Sequence, residues 1–341
     1  VADGEITGGP YGVLADGAGS LTLANAGTIR GEGAYEGADR PAEAGVTITS
    51  ANAVIENSGI ISSAGQGIVT QLYYNGDTAQ LETRAANTSV TNSGTIRGES
   101  NDAIRLFGGG SVTNSGTIEG TGGEFADGVT IQAFAGQDTS GSTMLGTVVN
   151  EAGGTITGER YGVLAVSGAS VDNAGTISGG IAGVIIGRQN SAGKQGVLIN
   201  SGTINGGVQI DVDSADATNS GSIVSETGVG LTSLGQIDLV NSGTIAGGNG
   251  IAAQLGAFDD TVTLKTGSAI TGLVDAGGRF GGRSDAQGAG AGRPQRRRVG
   301  TQGQRLHGRQ PRRPDGLPRR DAHHHAERAR PPGHGAREEL E

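Results

Sequence analysis

The chain has 341 residues, of which 67 are glycine, and its formal net charge is −10. Its apolar fraction of 34% and aromatic fraction of 3% are low beside the roughly 45–50% apolar content of globular domains, counted with glycine, which argues against a conventional helical or α/β enzyme. Cysteine is absent, which excludes disulfides, thiolate metal sites and a cysteine nucleophile, and no apolar run reaches the ~18 residues of a membrane helix.

A short motif, Asn-Ser-Gly-Thr-Ile with small variations, recurs along the first 278 residues. It begins at Asn25, Asn57, Asn92, Asn114, Asn150, Asn173, Asn200, Asn219 and Asn241. Successive copies are 19 to 36 residues apart, and an aliphatic residue stands two positions before each Asn. Most copies are followed by a Gly-Val or Gly-Ile segment such as residues 183–186. Each copy therefore predicts a strand, a turn and a strand, with a third strand after it.

These patterns predict an all-β fold, a right-handed parallel β-helix of about ten coils. A unit of about 20 residues is too small to bury its own apolar face. Stacked units solve this problem, because each strand pairs in parallel with its equivalent one coil away, at about 4.8 Å. We expect the motif Ile residues and the aliphatic residues two positions before each Asn to line the interior.

The Asn-x-Gly turn has a local explanation, because Asn tolerates left-handed backbone angles and Gly accepts a positive φ without strain. Stacking places the Asn side chains above one another, so they are expected to form an amide ladder along the axis. We interpret the column as structural rather than as a ligand array.

Carboxylates are the remaining candidates for chemistry in the body, because no His precedes residue 307. Asp211, Asp213 and Asp216 lie close together in the sequence, and Asp211 and Asp213 are expected to face the same side of a strand. Paired carboxylates bind calcium, but this region has no Arg, Lys or aromatic residue. We therefore expect exposed acids rather than a metal site, a catalytic site or a cofactor site. Asp259 and Asp260 resemble a calcium-binding repeat only faintly, because the G-G-x-G-x-D period is absent, so no bound ion is expected there.

Three insertions are expected to leave the coil, at residues 31–45, 72–88 and 133–146. They contain Tyr35, Tyr73, Tyr74, Phe134 and the single methionine, Met144. Loops on a rigid scaffold often carry recognition residues. Tyr73 and Tyr74 are therefore the candidates for recognition of a partner.

The composition changes abruptly after residue 278. Residues 1–278 carry 9 Lys+Arg and 27 Asp+Glu, whereas residues 279–341 carry 15 Arg and 7 Asp+Glu, together with all five His. We predict a β-helix domain at 1–278 and a basic, disordered tail at 279–341. Shifted reading of GC-rich codons yields such a mixture of Arg, Pro, Gly, Ala and His, so we hypothesise out-of-frame translation, which reading the DNA in its other frames would test.

The motif N-S-G-T-I-x-G, followed by G-[V/I]-x-[L/I], resembles the passenger repeats of bacterial autotransporters, which are large surface proteins of type V secretion. Residues 260–278 are similar to the segment that often ends such arrays, so the resemblance covers residues 1–278. It implies an outer-membrane secretion route in which a C-terminal β-barrel exports a β-helical stalk. We expect contact with a membrane only through such a translocator, which this chain lacks.

The expected function is that of a non-enzymatic β-helical stalk, exposed on a bacterial surface or secreted. It would present loops for adhesion to a host or neighbouring-cell surface component, or for self-association. The alternative is a carbohydrate-active β-helix enzyme, a polysaccharide lyase or hydrolase, that uses the acidic cluster near Asp211. Such an enzyme needs Asp and Arg or Lys converging on one face. The basic stretch from Arg293 to Arg337 lacks interleaved aromatic residues and a recognisable module, so no nucleic-acid partner is expected.

Overall fold

The computed structural model describes residues 4–16, 19–32, 43–49, 52–75, 80–83, 87–132, 144–188 and 193–277. These residues form strands and turns, and they include no helix that is long and apolar enough to span a membrane. The predicted all-β class is confirmed. The tail that we predict from residue 279 lies outside the described residues, as do Tyr35 and Phe134.

Each coil contributes strands to three faces. Face 1 carries the Thr-Ile half of the motif, face 2 carries the Gly-Val segment, and face 3 carries the strand that ends at the motif Asn. Neighbouring strands within a face are parallel and in register, with Ile29 opposite Ile61 and Asn25 opposite Asn57. Face 3 is a sheet of ten strands, one for each coil. The prediction of a right-handed parallel β-helix with about ten coils is confirmed.

The strand bounds follow this arrangement. Face 1 contains Glu5–Gly8, Thr28–Gly31, Ile60–Ser63, Thr95–Gly98, Thr117–Gly120, Thr155–Gly158, Thr176–Gly179, Thr203–Asn205 and Ser222–Ser225. Face 2 contains Tyr11–Ala15, Ala44–Ile48, Gln66–Thr70, Ile104–Phe107, Val129–Gln132, Tyr161–Ala165, Ala182–Ile186, Val208–Ile210 and Leu231–Ser233. Two long strands, Thr244–Gln254 and Ala269–Asp275, run across both faces and join them into one sheet. Face 3 contains Ser20–Asn25, Asn52–Asn57, Thr88–Asn92, Gly110–Asn114, Gly146–Asn150, Ala169–Asn173, Gln195–Asn200, Ser214–Asn219, Gln236–Asn241 and Thr261–Leu264.

A separate two-stranded sheet follows the face 2 strand Gln66–Thr70 of the third coil. Its strands, Leu72–Asn75 and Gln80–Thr83, are antiparallel. They place Tyr73 opposite Glu82 and Tyr74 opposite Leu81. The insertion expected at residues 72–88 therefore forms a hairpin, and face 3 resumes at Thr88.

The core consists of columns of aliphatic side chains that run along the axis. The motif Ile residues are at most 1% exposed: Ile29, Ile61, Ile96, Ile118, Ile156, Ile177, Ile204, Ile223 and Ile245. The aliphatic residues before each Asn are equally buried from Ile55 to Leu239, and Leu23 in the first coil packs against them. Each buried Ile contributes about 1.5–3 kcal/mol. The interior columns predicted from the sequence are confirmed.

Glycine begins the Gly-Val segment because the Ile column approaches its backbone. A Cβ on Gly162 would lie 2.5 Å from Cγ2 of Ile177 and 2.7 Å from the carbonyl oxygen of Gly183. Both distances are too short for non-bonded carbon contacts, so a side chain here would force the coils apart. The second half of the repeat is thus explained by packing between coils.

The Asn-x-Gly turn has a different basis from the one we expected. Among the described residues, Asn87 is the one non-glycine residue with a positive φ. The motif Asn residues and the glycines of the regular copies, such as Gly59, adopt negative φ values. A Cβ on Gly59 would lie 2.7 Å from the carbonyl carbon of Ala26 in the preceding coil. Close stacking of the turns, rather than left-handed geometry, therefore requires this glycine.

The nine motif Asn side chains form a continuous ladder of hydrogen bonds. Nδ2 of each Asn donates to Oδ1 of the next Asn at 2.7–2.9 Å. It also lies 3.0–3.2 Å from a backbone carbonyl oxygen of the next coil. The ladder ends at Asn241, because Leu264 stands opposite this residue in the last strand of face 3. The column thus joins every pair of neighbouring coils from the first to the ninth motif.

Replacement of Asn173 by Ala is expected to lower the free energy of unfolding by about 2–4 kcal/mol, because it leaves the buried amides of Asn150 and Asn200 each without one partner. The control is Asn205→Ala, which removes an exposed amide whose one hydrogen bond among the described residues is to Ser178 Oγ at 3.1 Å. A change within about 0.5 kcal/mol is expected. Urea denaturation measures both. Equal losses would contradict a stabilising role for the ladder.

Candidate functional site

The three Asp residues that were candidates for metal binding do not converge. Asp211 follows the strand Val208–Ile210, Asp213 lies in the turn towards face 3, and Asp216 lies on face 3 itself. Oδ2 of Asp213 accepts a hydrogen bond from the backbone N–H of Gly193 at 2.6 Å. The expectation that Asp211 and Asp213 share one side of a strand is wrong, because the strand ends at Ile210.

An ionic cluster that the sequence analysis did not identify lies at the start of face 2 in three successive coils. This cluster, called here the ionic corner, consists of Asp102, Arg105, Asp127 and Arg160. Asp102 Oδ2 accepts a hydrogen bond from Arg105 Nε at 2.6 Å. Asp127 is bonded by Arg160 in a bidentate manner, with distances of 2.9 and 2.7 Å. Both Asp side chains are 0% exposed, whereas the two Arg side chains are 23% and 18% exposed.

The ionic corner also connects coils through the backbone. Oδ1 of Asp102 accepts from the N–H of Asp127 at 3.1 Å, and Oδ1 of Asp127 accepts from the N–H of Tyr161 at 3.2 Å. Oδ2 of Asp127 additionally accepts from Thr130 Oγ1 at 3.0 Å. All four carboxylate oxygens are thus occupied by protein donors. This arrangement holds three coils together, and its carboxylates are enclosed rather than presented to a substrate.

Two aromatic rings lie beside the guanidinium group of Arg160 in the ionic corner. The guanidinium carbon of Arg160 lies 5.2 Å from the ring centroid of Phe125 and 4.7 Å from that of Tyr161. The guanidinium carbon of Arg188, which belongs to the next coil, lies 5.4 Å from the centroid of the Tyr161 ring. Cation–π contacts of this length contribute about 0.5–1 kcal/mol at exposed sites. The hydrogen bonds to Asp127 raise the pKa of Arg160, so this residue stays charged.

Burial raises the pKa of Asp102 from 3.8 to about 6, against the lowering effect of the nearby Arg105. The charge of Asp127 in the next coil raises it further. Burial likewise raises the pKa of Asp260, whose Oδ1 accepts the N–H of Ile237 at 3.0 Å. Both carboxyl groups therefore hold a proton at a higher pH in the folded chain than in the unfolded chain.

Acidification from pH 7.5 to pH 5 is expected to raise the melting temperature. Because the pKa of Asp102 is higher in the folded state, its stabilising effect is complete below pH 3.8 and is lost as the pH rises through about 6. The full difference corresponds to about 3 kcal/mol. Thermal melting of the wild type and of Asp102→Asn at both pH values measures this effect, and the variant should show a clearly smaller gain. Identical pH dependence of the two proteins would contradict the assignment.

The residue pattern did contain a signal for the ionic corner. Asp102 and Asp127 each stand two positions before the aliphatic residue that begins a face 2 strand, Ile104 and Val129. Reading the repeat as stacked columns places these two acids next to each other, although they are 25 residues apart. Proximity in the sequence indicates only the group of acids around Asp211.

The other predicted residues have the following places. Tyr73 and Tyr74 lie on the hairpin strand Leu72–Asn75, and the Asn column forms the ladder described above. Met144 lies two residues before the face 3 strand Gly146–Asn150 and is 37% exposed. Among the described residues, no group of three or more His, Cys, Asp or Glu side chains is arranged to hold a metal ion.

The fold and these contacts define a parallel β-helix repeat protein with an internal Asn ladder and a buried ionic corner. Comparison with family models, with curated proteins and with solved structures gives no match for this chain.

Proposed function

We propose that the chain is the β-helical stalk of an autotransporter-like protein, exposed on the surface of a bacterial cell or secreted, and that it presents loops for adhesion or self-association. The proposal treats the coils as a rigid scaffold and the insertions as the parts that meet a host or neighbouring-cell component. Catalysis has no part in it.

The uninterrupted Asn ladder from Asn25 to Asn241 is the observation that supports a stalk. Every coil in this range is bonded to the next by an amide contact of 2.7–2.9 Å. Such bonds fix the register of neighbouring coils, because a slip of one residue between two coils would separate the amide pair that joins them. A stalk that carries load along its axis needs this kind of connection.

The placement of the insertions also supports presentation of loops. The hairpin of Leu72–Asn75 and Gln80–Thr83 is antiparallel, and it pairs with no strand of the three faces. The faces on both sides of it keep their register, since Ile55 stands opposite Val90 across the insertion. An insertion can therefore vary without disturbing the coils, which suits a scaffold whose loops carry recognition.

The enzyme alternative has one observation in its favour, because Asp and Arg side chains converge at the ionic corner. Such a cluster is what a carbohydrate-active β-helix enzyme would need. The carboxylates of Asp102 and Asp127 are, however, enclosed by protein donors, whereas an acid–base pair must reach the substrate. We therefore favour the stalk.

Labelling of intact cells of the source organism tests the location. Antibodies against the β-helix are expected to label intact cells or the culture medium, and labelling only after lysis would contradict the proposal. Recognition is tested with Tyr73→Ser/Tyr74→Ser in a cell-adhesion and aggregation assay. A selective loss is expected relative to the matched control Phe258→Ser, which changes an exposed aromatic residue outside the hairpin.

The enzyme alternative is tested with the purified chain. The stalk predicts no calcium-dependent cleavage of polyuronates, and it predicts unchanged melting after chelation. Asp211→Ala/Asp213→Ala/Asp216→Ala is expected to keep a melting temperature close to that of the wild type. Acids on an acidic surface contribute little, and the one hydrogen bond described for these side chains, from Gly193 to Asp213, is exposed. Cleavage that disappears in this variant, or in Asp102→Asn, would favour the enzyme.

A further inference from the structure

We infer that Asn249 is a site of spontaneous deamidation, at which the native chain converts to aspartate and isoaspartate. An Asn followed by Gly is the dipeptide most open to this reaction, because Gly has no side chain to hinder attack by its own backbone nitrogen. The chain has three such pairs, Asn75–Gly76, Asn205–Gly206 and Asn249–Gly250. Gly76 lies outside the described residues, and the surroundings of the other two pairs differ.

Asn249 and Gly250 lie in an irregular part of the strand Thr244–Gln254, where the chain passes from face 1 to face 2. The register with the last strand passes from Ala246 directly to Ile251. On the other side, pairing ends at Gly247 and resumes at Ala253. Residues 248–250 are thus exposed and have no register partners in the neighbouring strands, although the N–H of Asn249 donates to the carbonyl oxygen of Gly228 at 3.4 Å. Gly250 has a φ of +86°, and no atom lies within 4 Å of the position that a Cβ would occupy.

The side chain of Asn249 is already polarised for the reaction. Its Oδ1 accepts a hydrogen bond from the backbone N–H of Ile251 at 3.0 Å. Once the Gly250 nitrogen has lost its proton to water or hydroxide, it attacks Cγ of Asn249, and negative charge develops on Oδ1. The N–H of Ile251 stabilises this charge as an oxyanion donor does.

The conversion of Asn249 needs no reagent other than water. The new bond joins the Gly250 nitrogen to Cγ of Asn249, and the bond from Cγ to Nδ2 breaks. Ammonia departs, and the product is a succinimide ring. Water then opens the ring at one of its two carbonyl carbons. One opening gives aspartate, and the other gives isoaspartate, in which the main chain runs through Cγ.

The second pair, Asn205–Gly206, is protected by its contacts. The Gly206 nitrogen donates to the carbonyl oxygen of Val224 at 2.8 Å, so the attacking atom is engaged. Nδ2 of Asn205 donates to Ser178 Oγ at 3.1 Å. The Asn-Ser pairs of the ladder are protected further, because their amides are buried and hydrogen-bonded. Of the two Asn-Gly pairs that the structure describes in full, Asn249–Gly250 should therefore deamidate faster.

The product adds a negative charge to an exposed segment beyond the last Asn of the ladder. Residues 248–250 have no register partners in the neighbouring strands, and the hydrogen bond from the N–H of Asn249 to the carbonyl oxygen of Gly228 is long, at 3.4 Å. The longer isoaspartate backbone is therefore expected to be accommodated without breaking a coil. The native chain is expected to accumulate charge variants with age while its melting temperature stays unchanged.

Incubation of the full chain at pH 8 and 37 °C, followed by peptide mapping and enzymatic isoaspartate methylation, tests the inference. Conversion at Asn249 is expected to exceed that at Asn205 several-fold in the native chain, and the two rates should converge in urea. Asn249→Gln is the control, because a longer side chain closes the ring far more slowly, and it should abolish the charge variant that peptide mapping assigns to residue 249. Equal native conversion at both sites, or an unmodified Asn249 when the chain in urea has converted, would overturn the inference.

Discussion

Replacement of Ile177 by Asp is expected to lower the free energy of unfolding by about 3–5 kcal/mol, because it places a carboxylate without a partner in the core. The Ile177 side chain is 0% exposed. It stands between Ile156 and Ile204 of the neighbouring coils, and its Cγ2 packs against Gly162. A β-helix is stabilised by contacts between neighbouring coils, so the damage should spread to both sides. Urea denaturation followed by circular dichroism measures the loss.

Thr176→Asp is the matched control, because it introduces the same charge one position earlier in the same strand. Thr176 is half-buried and stands opposite Thr155 and Thr203, so an Asp here keeps contact with water. We expect a loss within about 1 kcal/mol. If the two variants lose equal stability, the assignment of Ile177 to the interior is wrong.

The fold was predictable because every copy of the motif has the same physical requirements. Each copy has an Ile that must be buried and an Asn that needs an amide partner, and parallel stacking satisfies both at once. Insertions did not obscure this pattern, since the motif restarts after each of them in register, as Ile96 does opposite Ile61. The number of coils therefore followed from counting motifs.

The reason why glycine recurs in the turn was not predictable from one coil. We ascribed the motif glycine to a positive φ, which is a local property. The structure shows that backbone from the preceding coil occupies the space of its Cβ. This constraint exists only after stacking, so propensity alone points to the right residue for the wrong reason.

The ionic corner was missed for a related reason. Arg160 and Asp127 are 33 residues apart, because the insertion expected at residues 133–146 lies between them. They meet because the face 2 strands of neighbouring coils are aligned, and proximity in the sequence does not indicate this. The group around Asp211 shows that proximity in the sequence can also mislead. Its acids are close in the sequence, but the strand ends at Ile210, before they can share a face.

Replacement of Arg160 by Met is expected to lower the free energy of unfolding by about 3–5 kcal/mol, because it leaves a buried carboxylate without its cation. Both oxygens of Asp127 bond Arg160, and the Asp127 side chain is 0% exposed. Loss of the contacts with Phe125 and Tyr161 adds about 0.5–1 kcal/mol. The control is Arg97→Met, whose partner Glu119 lies 3.7 Å away with both side chains well exposed, and a change within about 1 kcal/mol is expected.

A second substitution separates the buried charge from the lost packing. Asp127→Asn in the Arg160→Met chain removes the uncompensated charge, while Asn Oδ1 still accepts from the N–H of Tyr161. We therefore expect the double variant to be more stable than Arg160→Met alone, since a neutral buried amide costs less than a buried ion without a partner. The double-mutant cycle is completed by urea denaturation of the wild type, Arg160→Met, Asp127→Asn and the double variant. If the double variant is less stable than the single one, the pair acts through packing and not through charge, and the ionic corner does not hold the three coils together in the way proposed.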